Sequence, residues 1–315
     1  MTIERAHTKY QRLLEFCRTL PPTPTAVAHP CDESSLTGAM DAARLRLIVP
    51  TLVGPQQRIQ GVAKAANLDL TGVTIVDAPY SEASAERAVE LVREGKAEAL
   101  MKGSLHTDEL MAEVVKRDTG LRTKRRVSHC FVMDVPSHEE TLIVTDAAVN
   151  IAPTLEEKVD IIQNAIDLAH ALQFPEVRVA ILSAMETENP KVPSTIEAAA
   201  LCKMADRGQI TGAILDGPLA LDNAIDPEAA RIKGIVSPVA GRANVLMVPD
   251  LEAGNMLAKS LSFLASADAA GIVLGARVPI ILTSRADSLT TRLASCAVAV
   301  LVAKARRDAA TSAVA

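Results

Sequence analysis

The sequence predicts an α/β protein built from parallel sheets with helices on their faces, and three observations point to that class. Short β-branched runs alternate with stretches of helical periodicity along the chain, which is the order that βαβ units produce. The hydrophobic set is 49% of the 315 residues, enough to form buried cores in two domains of ordinary size. Aromatic residues are only 2%, which argues against a β-sandwich, a β-barrel or a stacking surface for single-stranded nucleic acid.

The predicted strands and helices alternate with one exception. We predict strands over residues 45–53, 73–77, 99–102, 127–135, 142–145, 177–183, 212–216, 245–248 and 278–283. Helical periodicity covers residues 83–92, 105–115, 155–172, 194–205, 254–264 and 289–305. The exception is the strand pair 127–135 and 142–145, whose connection is so short that an antiparallel hairpin is predicted.

Two segments carry no predicted element. Residues 20–30 hold four prolines and are predicted to be an N-terminal connection. Residues 266–275 are rich in small residues and are predicted to be a break between domains. Elsewhere, helix starts are marked by Thr154-x-x-Glu157 and Ser194-x-x-Glu197, two patterns in which the first and last side chains cap a helix reciprocally.

Charge and motif content exclude several function classes. The formal net charge of −5 removes the electrostatic case for binding nucleic acid or an anionic membrane. No apolar run approaches the roughly 20 residues that span a bilayer, and the N-terminus lacks an apolar signal core, so we expect a cytoplasmic protein. The fingerprints of nicotinamide, P-loop, zincin and α/β-hydrolase chemistry (GxGxxG after a strand, GxxxxGK, HExxH and GxSxG) are absent.

The five cysteines are scattered and include no CxxC pair, so we expect reduced thiols rather than disulfides or a zinc site. Cys130 and Cys202 lie in apolar surroundings and are expected to be buried. No cysteine lies at a predicted strand-to-helix junction among basic residues, where a thiolate would be stabilised. We therefore expect no catalytic cysteine.

The chemistry is expected at strand-to-helix junctions, where open α/β sheets bind ligands. In the first junction a predicted strand ends at Lys102, Gly103 lets the main chain approach a ligand, and a helix is predicted to begin near Ser104. Exposed N–H groups beside a lysine form an anion site, and His106 follows in the same loop. The alternative is an ordinary turn with a solvated lysine and a capping or surface histidine.

A second junction carries Ser284, Arg285 and Asp287 between the last predicted strand and the C-terminal helix. A fixed guanidinium at a helix start can stabilise an oxyanion or bind a phosphate. The alternative is structural, because Ser284-x-x-Asp287 is also a capping pattern.

Other polar segments allow more than one interpretation. Residues 116–126 contain six cationic side chains and are followed by Ser128. They could form a nucleic-acid patch, a solvated loop or a site for the phosphates of an anionic cofactor, and the acidic total favours the solvated loop for most of them. Farther along, Ser237, Gly241 and Asn255 stand in segments whose Gly, Pro and Asn could also be turn residues.

Strings from these junctions resemble the phosphate acetyl/butyryl transferase family, in collinear order. They are MKGSLHT, GLRT, TDAAVNIAP, NPKVPSTIEAA, KMADRGQITGAILDGPLALD, KGIVSPVAGRANVLMVPDLEAGNMLAKSL, AGIVLGARVPI and LTSRADS, and they cover most of residues 100–287. The combination is specific, because SPVAGxAN followed by PDLxxGN and then SR is not a general α/β pattern. The strings ADRGQI and LTSRADS are more similar to the butyryl branch than to the acetyl branch.

The resemblance implies two α/β domains with a cleft between them, similar to the isocitrate and isopropylmalate dehydrogenases. The second domain, residues 135–271, is inserted in the first, residues 1–134 and 272–315. The implied reaction passes a short acyl group, acetyl or butyryl, reversibly between coenzyme A (CoA) and inorganic phosphate to give acyl phosphate. The resemblance further implies a homodimer, and a reaction without a metal, a permanently bound cofactor or a covalent acyl-enzyme.

Several residues suit the implied reaction. Arg285 would stabilise the oxyanion, and Ser284 would hydrogen-bond the CoA sulfur or the acyl oxygen. The phosphoryl group would be bound by the first junction. The residues expected to bind phosphate or CoA are Lys102, Gly103, Ser104, His106, Ser128, Ser237, Gly241 and Asn255.

One position departs from the family pattern. The acetyl branch has an aspartate six residues after the arginine, where it is thought to take the CoA proton, but here that position is Thr291. Asp287 is the nearest carboxylate and is a candidate catalytic residue. Either Asp287 accepts the proton, or Arg285 and the helix N-terminus stabilise the thiolate directly. A carboxylate that caps a helix has a lowered pKa and is a poorer base, which favours the second account.

Two other function classes stay open. Metal- and NAD-dependent hydroxyacid dehydrogenases share the implied fold, but the aspartates at positions 216, 222, 226 and 250 do not repeat their metal-binding signature. A non-catalytic protein that binds CoA or acyl phosphate would explain the missing base.

Overall fold

The computed structural model describes residues 8–283 and 287–312. Its helices and strands, in chain order, are α1 (Thr8–Cys17), β1 (Thr23–Ala28), α2 (Glu33–Arg44), β2 (Ile48–Gly54), α3 (Gln56–Ala65), β3 (Thr74–Asp77), α4 (Ser81–Arg93), β4 (Ala99–Lys102), α5 (Thr107–Val114), β5 (Ser128–Asp134), β6 (Leu142–Thr145), α6 (Leu155–Ala171), β7 (Arg178–Leu182), α7 (Pro193–Asp206), β8 (Ile214–Leu219), α8 (Leu221–Ile225), α9 (Pro227–Ile232), β9 (Val245–Met247), α10 (Leu251–Leu264), β10 (Asp268–Leu274), β11 (Ile280–Ile281) and α11 (Leu289–Ser312). The alternation of strands and helices confirms the predicted α/β class.

The described chain divides into two compact units. The N-terminal unit consists of residues 8–125 and 270–312, and the middle unit consists of residues 126–269. Each unit has its own set of strands, and each is described separately below.

Strands of the N-terminal unit follow the order β3-β2-β1-β4-β11-β10. All neighbours are parallel except β10, which is antiparallel to β11. The register pairs Ala28 of β1 with Lys102 of β4, and Met101 of β4 with Ile281 of β11. The carboxyl ends of these three strands therefore lie at one edge of the sheet, where loops that bind ligands are found in α/β proteins.

Strands of the middle unit follow the order β5-β6-β9-β7-β8. β5 and β6 form the predicted antiparallel hairpin, and the other neighbours are parallel. The core is aliphatic: Met133, Val144, Ala180 and Leu246 are buried on strands, and Leu261 of α10 packs against this cluster. Such a core needs no aromatic residues, in agreement with the composition.

The two segments without a predicted element both contain strands, so the expectation that they lack strands is wrong. The division between the two units lies between residues 269 and 270, inside the second segment. The proline-rich stretch contains β1, which lies between β2 and β4. Pro24 has no N–H to donate, but its carbonyl oxygen accepts from the Glu98 N–H at 2.8 Å, and the strand is almost entirely buried. The second stretch contains β10, whose small side chains are mostly buried.

Of the two predicted capping boxes, one forms. The Thr154 hydroxyl accepts from the Glu157 N–H at 3.3 Å, and the Glu157 carboxylate accepts from the Thr154 N–H at 2.9 Å. The second prediction is wrong, because α7 begins at Pro193 and the Ser194 hydroxyl instead bonds to the Ser183 hydroxyl at 2.8 Å. A proline at the first helical position needs no partner for a main-chain N–H, so the helix begins one residue earlier than the pattern predicts.

Candidate active site

The main-chain carbonyl of His29 joins the loop that follows β1 to the loop that follows β4. His29, the residue after β1, has φ +54°, in the left-handed region that few non-glycine residues adopt. Its carbonyl oxygen accepts from the Ser104 N–H at 2.9 Å, from the Ser104 hydroxyl at 2.8 Å and from the Cys31 N–H at 2.8 Å. The unusual conformation of His29 therefore fixes the loop that carries Ser104.

Gly103 lies so close to β1 that no side chain fits there. Its N–H donates to the Ala28 carbonyl at 2.8 Å. A Cβ atom at this position would lie 2.4 Å from the Ala28 carbonyl oxygen and 2.5 Å from that of His29. Glycine is required here by the close approach of two main chains.

Lys102 is buried, with 6% of its surface exposed, so the alternative of a solvated lysine is wrong. Its ammonium donates to the Gly103 carbonyl at 3.4 Å. A positive charge held beside the main chain of this loop suits an anionic group such as a phosphoryl.

The ring of His29 is held in one tautomer. Its Nδ1 lies 3.0 Å from the Ser84 hydroxyl, and that hydroxyl donates to the Tyr80 carbonyl at 2.7 Å. Because the serine proton is used, Nδ1 must carry the ring proton. Burial, reinforced by the nearby Arg58, lowers the pKa of His29 although Glu109 acts in the opposite direction. His29 is therefore neutral at pH 7.

His106 is exposed and directly precedes α5, which begins at Thr107 rather than near Ser104. Its N–H donates to the Glu109 carboxylate at 2.6 Å, as in a capping box. The Ser81 hydroxyl also donates to Glu109 at 2.6 Å, and this bond is the main cause of a lowered Glu109 pKa. A binding role for His106 stays a prediction.

The start of α11 differs from the predicted cap. The helix begins at Leu289, and the Ser288 hydroxyl oxygen accepts from the Thr291 N–H at 3.1 Å, the bond that a capping residue makes. Asp287 lies before the helix, so the expectation that it is the acidic partner in a capping box is wrong. Thr291 is buried, and its hydroxyl oxygen accepts from the Ser288 hydroxyl at 3.2 Å. Ser284 and Arg285 lie outside the described residues.

A cavity of about 340 Å³ opens beside Asp287. It is lined by Glu33, Ser34, Thr37, Gly38, Asp287, Leu289 and Arg292. Arg292, which the sequence analysis did not single out, is 5% exposed. Its guanidinium donates to the Asp287 carbonyl at 3.3 Å and to the Ser34 carbonyl at 3.2 Å.

In the middle unit, the loop after β6 is organised by one buried carboxylate. The Asp146 carboxylate accepts from the main-chain N–H groups of Ala148, Val149 and Asn150. It also accepts from the side-chain amide of Asn150 and from the His129 N–H. The Asn255 amide donates to the Ala147 carbonyl in the same loop at 3.2 Å. Asn255 thus supports the TDAAVN segment, and its contact with CoA or phosphate stays a prediction.

Three other predicted site residues have structural partners within this unit. Ser128 is fully buried, and its hydroxyl accepts from the Asn164 amide at 2.9 Å. The Ser237 hydroxyl accepts from two N–H groups of the turn that follows it. Gly241 has φ +79°, and a Cβ there would lie 2.6 Å from the Cα of Pro227. These contacts do not test whether Ser128, Ser237 and Gly241 bind a ligand, and that role stays a prediction.

The cationic run 116–126 is partly paired. Lys116 forms an ion pair with Glu113 at 2.6 Å, and Arg126 pairs with Glu157 at 2.8 Å. The Arg126 side chain also donates to the Asn150 side-chain oxygen at 2.8 Å. The charges of Lys116 and Arg126 are therefore balanced by carboxylates of their own units.

Burial raises the pKa of most thiols far above neutrality. The value is about 12 for Cys17, Cys130, Cys202 and Cys296. Cys31 lies at the junction between β1 and α2, which the sequence analysis did not include because β1 was not predicted. Burial raises the Cys31 pKa to about 11, and a thiol of that pKa is protonated at pH 7.

The described residues contain neither a membrane-spanning helix nor a side-chain cluster that could hold a metal ion. No helix among residues 8–283 and 287–312 is long and apolar enough to cross a membrane. Within the same residues, no group of three or more His, Cys, Asp or Glu side chains could hold a metal ion.

Comparison with known proteins decides the family. A model of the family described as Phosphate acetyl/butaryl transferase matches residues 81–300, more than half of the chain. The chain belongs to this family. It is 66% identical over 306 residues to the phosphate acetyltransferase of Rhizobium meliloti, covering 97% of each chain. It is 41% identical to the phosphate butyryltransferase of Clostridium acetobutylicum, covering 88% of this chain and 92% of that one.

Solved structures are similar as well. The branched-chain phosphotransacylase from Enterococcus faecalis V583 is 30% identical with a TM-score of 0.78, covering 89% of this chain and 99% of that one. A putative 4-hydroxythreonine-4-phosphate dehydrogenase from Salmonella typhimurium has a TM-score of 0.57 at 12% identity, covering the same shares, which is a likeness of fold alone. Both the family resemblance and the predicted dehydrogenase-like fold are confirmed, and the protein is an acyltransferase.

Proposed function

We propose that the protein transfers a short acyl group reversibly between CoA and inorganic phosphate, giving acyl phosphate. The observation that carries the proposal is the junction after β4, where buried Lys102, side-chain-free Gly103 and Ser104 lie at the carboxyl end of a parallel strand. β11 pairs in parallel with β4, so its carboxyl end lies at the same edge of the sheet. In the sequence, Ser284 and Arg285 follow shortly after β11. We propose that the junction after β4 binds an anion in this reaction.

In the proposed reaction, a phosphate oxygen attacks the thioester carbonyl. The C–O bond to phosphate forms, the C–S bond to CoA breaks, and CoA leaves as a thiolate that takes up a proton. Lys102 would hold the phosphate, because the N–H groups of Gly103 and Ser104 already donate to the Ala28 and His29 carbonyls. Arg285 would stabilise the charge on the carbonyl oxygen in the transition state. Ser284 would hydrogen-bond the sulfur or the acyl oxygen.

We propose Asp287 as the group that exchanges the thiol proton. The competing duty that argued against it was the capping box, and Ser288 makes that cap instead. Thr291, the counterpart of the acetyl-branch aspartate, has a hydroxyl bonded to Ser288 and no basic group. Asp287 lines the cavity beside α2, where a substrate group can reach it.

The acyl group, the oligomeric state and the location are proposed from the family membership. The 66% identity to a phosphate acetyltransferase, against 41% to a phosphate butyryltransferase, makes acetyl the first acyl group to test. We further propose a cytoplasmic homodimer with CoA as a substrate and no permanently bound cofactor. Nucleic acid and membrane are not proposed as partners, because the net charge is −5.

The test is release of free CoA thiol from acetyl-CoA with and without inorganic phosphate. We expect release only with phosphate, and butyryl-CoA in a parallel assay ranks the two acyl groups. Equal rates without phosphate would indicate a thioesterase. Absence of release despite measurable CoA binding would support the non-catalytic alternative, and hydride transfer to NAD from a hydroxyacid with added metal would support the dehydrogenase.

A further inference from the structure

Arg292 connects two segments of the N-terminal unit that carry proposed functional groups. It stands in the first turns of α11 and is 5% exposed, which is unusual for an arginine. Through Nε it donates to the Asp287 carbonyl at 3.3 Å, and through Nη1 to the Ser34 carbonyl at 3.2 Å. One guanidinium therefore bonds the main chain before α11 to the main chain of the first turn of α2.

The first turn of α2 is itself fixed to the edge of the sheet. The Asp32 carboxylate caps the helix by accepting from the Ser35 N–H at 2.7 Å. Asp32 is only three residues from His29, whose carbonyl group holds Ser104. These hydrogen bonds and the main chain of residues 29–34 together connect the junction after β4 to the segment that contains Asp287.

Space for Arg292 depends on a glycine of α2. A Cβ atom at Gly38 would lie 3.0 Å from the Arg292 Cδ, closer than ordinary contact. Gly38 is in the interior of α2, where glycine is less favourable than alanine. A packing reason for the glycine is therefore needed, and the buried arginine supplies one.

The geometry points to Arg292 as a positioning residue that holds Asp287 at a fixed place relative to the junction after β4. This inference rests on the proposed function. Arg292 donates to the main-chain carbonyl of Asp287, so it fixes the main chain from which the Asp287 side chain extends. A planar guanidinium can bond two carbonyl groups at once, whereas a lysine ammonium on a flexible stem holds them less rigidly.

The experiment compares Arg292→Met, Arg292→Lys and Gly38→Ala with the wild type. The matched control is Arg44→Met, which removes an exposed arginine that pairs with Asp41 on α2. We expect Arg292→Met to lower kcat for acetyl-CoA formation by at least about tenfold, since a misplacement of 1 Å can cost about a hundredfold. KM for acetyl phosphate should stay within about threefold, and Arg292→Lys should recover part of the loss.

Non-additivity separates positioning from general destabilisation. Adding Asp287→Asn to Arg292→Met should cause little further loss of kcat, because both changes remove the same proton transfer. Gly38→Ala should lower kcat in the wild type but not in the Arg292→Met background. Unaltered kcat in folded Arg292→Met, or fully multiplicative losses in the double variants, would overturn the inference.

Two further outcomes are decided in advance. If Arg292→Met does not fold, the inference is tested with Gly38→Ala. The inference then requires kcat to fall more in Gly38→Ala than in the control Arg44→Met. If the wild type itself shows no phosphate-dependent acyl transfer, the proposed function has failed, and that result is distinct from an active enzyme that tolerates the loss of Arg292.

Discussion

Replacing Asp287 by Asn tests the proposed proton acceptor. The substitution keeps the size of the side chain and removes its basicity. The contact that fixes this residue is made by its main-chain carbonyl, which accepts from Arg292, and the helix cap is made by Ser288. Neither bond depends on the carboxylate, so both can form in the Asp287→Asn variant.

The expected loss is large and depends on pH. Removing a general base costs about 10²–10⁴ in rate, so kcat for forming acetyl-CoA from CoA and acetyl phosphate should fall by at least about a hundredfold. The residual rate should rise roughly tenfold per pH unit up to a thiol pKa near 8.5, because only the thiolate already present can react. The control is Asp108→Asn, an exposed aspartate of α5 that should leave kcat unchanged.

The assay follows thioester formation at 233 nm between about pH 6 and pH 9, spanning the thiol pKa. A loss of less than about tenfold, with the pH profile of the wild type retained, would refute the proposal. In that case Arg285 and the helix N-terminus would have to stabilise the thiolate directly.

Three further predictions concern the fold and the neighbouring groups. Gly103→Ala places a Cβ 2.4 Å from the Ala28 carbonyl oxygen, so urea unfolding should show a loss of about 1–3 kcal/mol together with a raised KM for phosphate; an unchanged KM would argue against the anion site. Cys31→Ala should keep kcat within about twofold, since a thiol of pKa about 11 is not ionised at pH 7, and a larger loss in a folded variant would contradict this. Burial lowers the His129 pKa from 6.5 to about 4. Between these two pH values the unfolded chain binds more protons than the folded one, so the free energy of unfolding should fall as the pH drops from about 6.5 to 4. A His129→Phe variant that kept the same pH dependence of unfolding would show that another group is responsible.

The sequence pattern was most informative where strands are short, apolar and bounded by turn residues. The predicted strands 99–102 and 142–145 match β4 and β6 residue for residue. β1 was missed because Thr-Pro-Thr-Ala-Val-Ala contains a proline within a proline-rich stretch, although half of its residues are β-branched. Its position between two strands buries it. Propensity is a weak guide when tertiary packing decides.

The site was predictable in location but not in detail. Strand ends and resemblance together located Lys102, Gly103 and Ser104, whereas the burial of the lysine follows from packing that a single sequence does not show. Arg292 could have been noticed, because it is a charged residue at the start of an otherwise apolar helical run. A charge on a buried face needs partners, and main-chain carbonyl groups are not visible in a residue pattern.

The central claim is that phosphate, rather than water, receives the acyl group. Acetyl-CoA and phosphate labelled with ¹⁸O should be incubated with the enzyme, and the products divided between a thiol assay and trapping of acyl phosphate by hydroxylamine. The account predicts one acyl phosphate trapped per CoA released, and in the acyl phosphate that has not been trapped a labelled oxygen joins the acyl carbon to the phosphorus. Release of CoA accompanied by free acetate, with no trapped acyl phosphate, would contradict it.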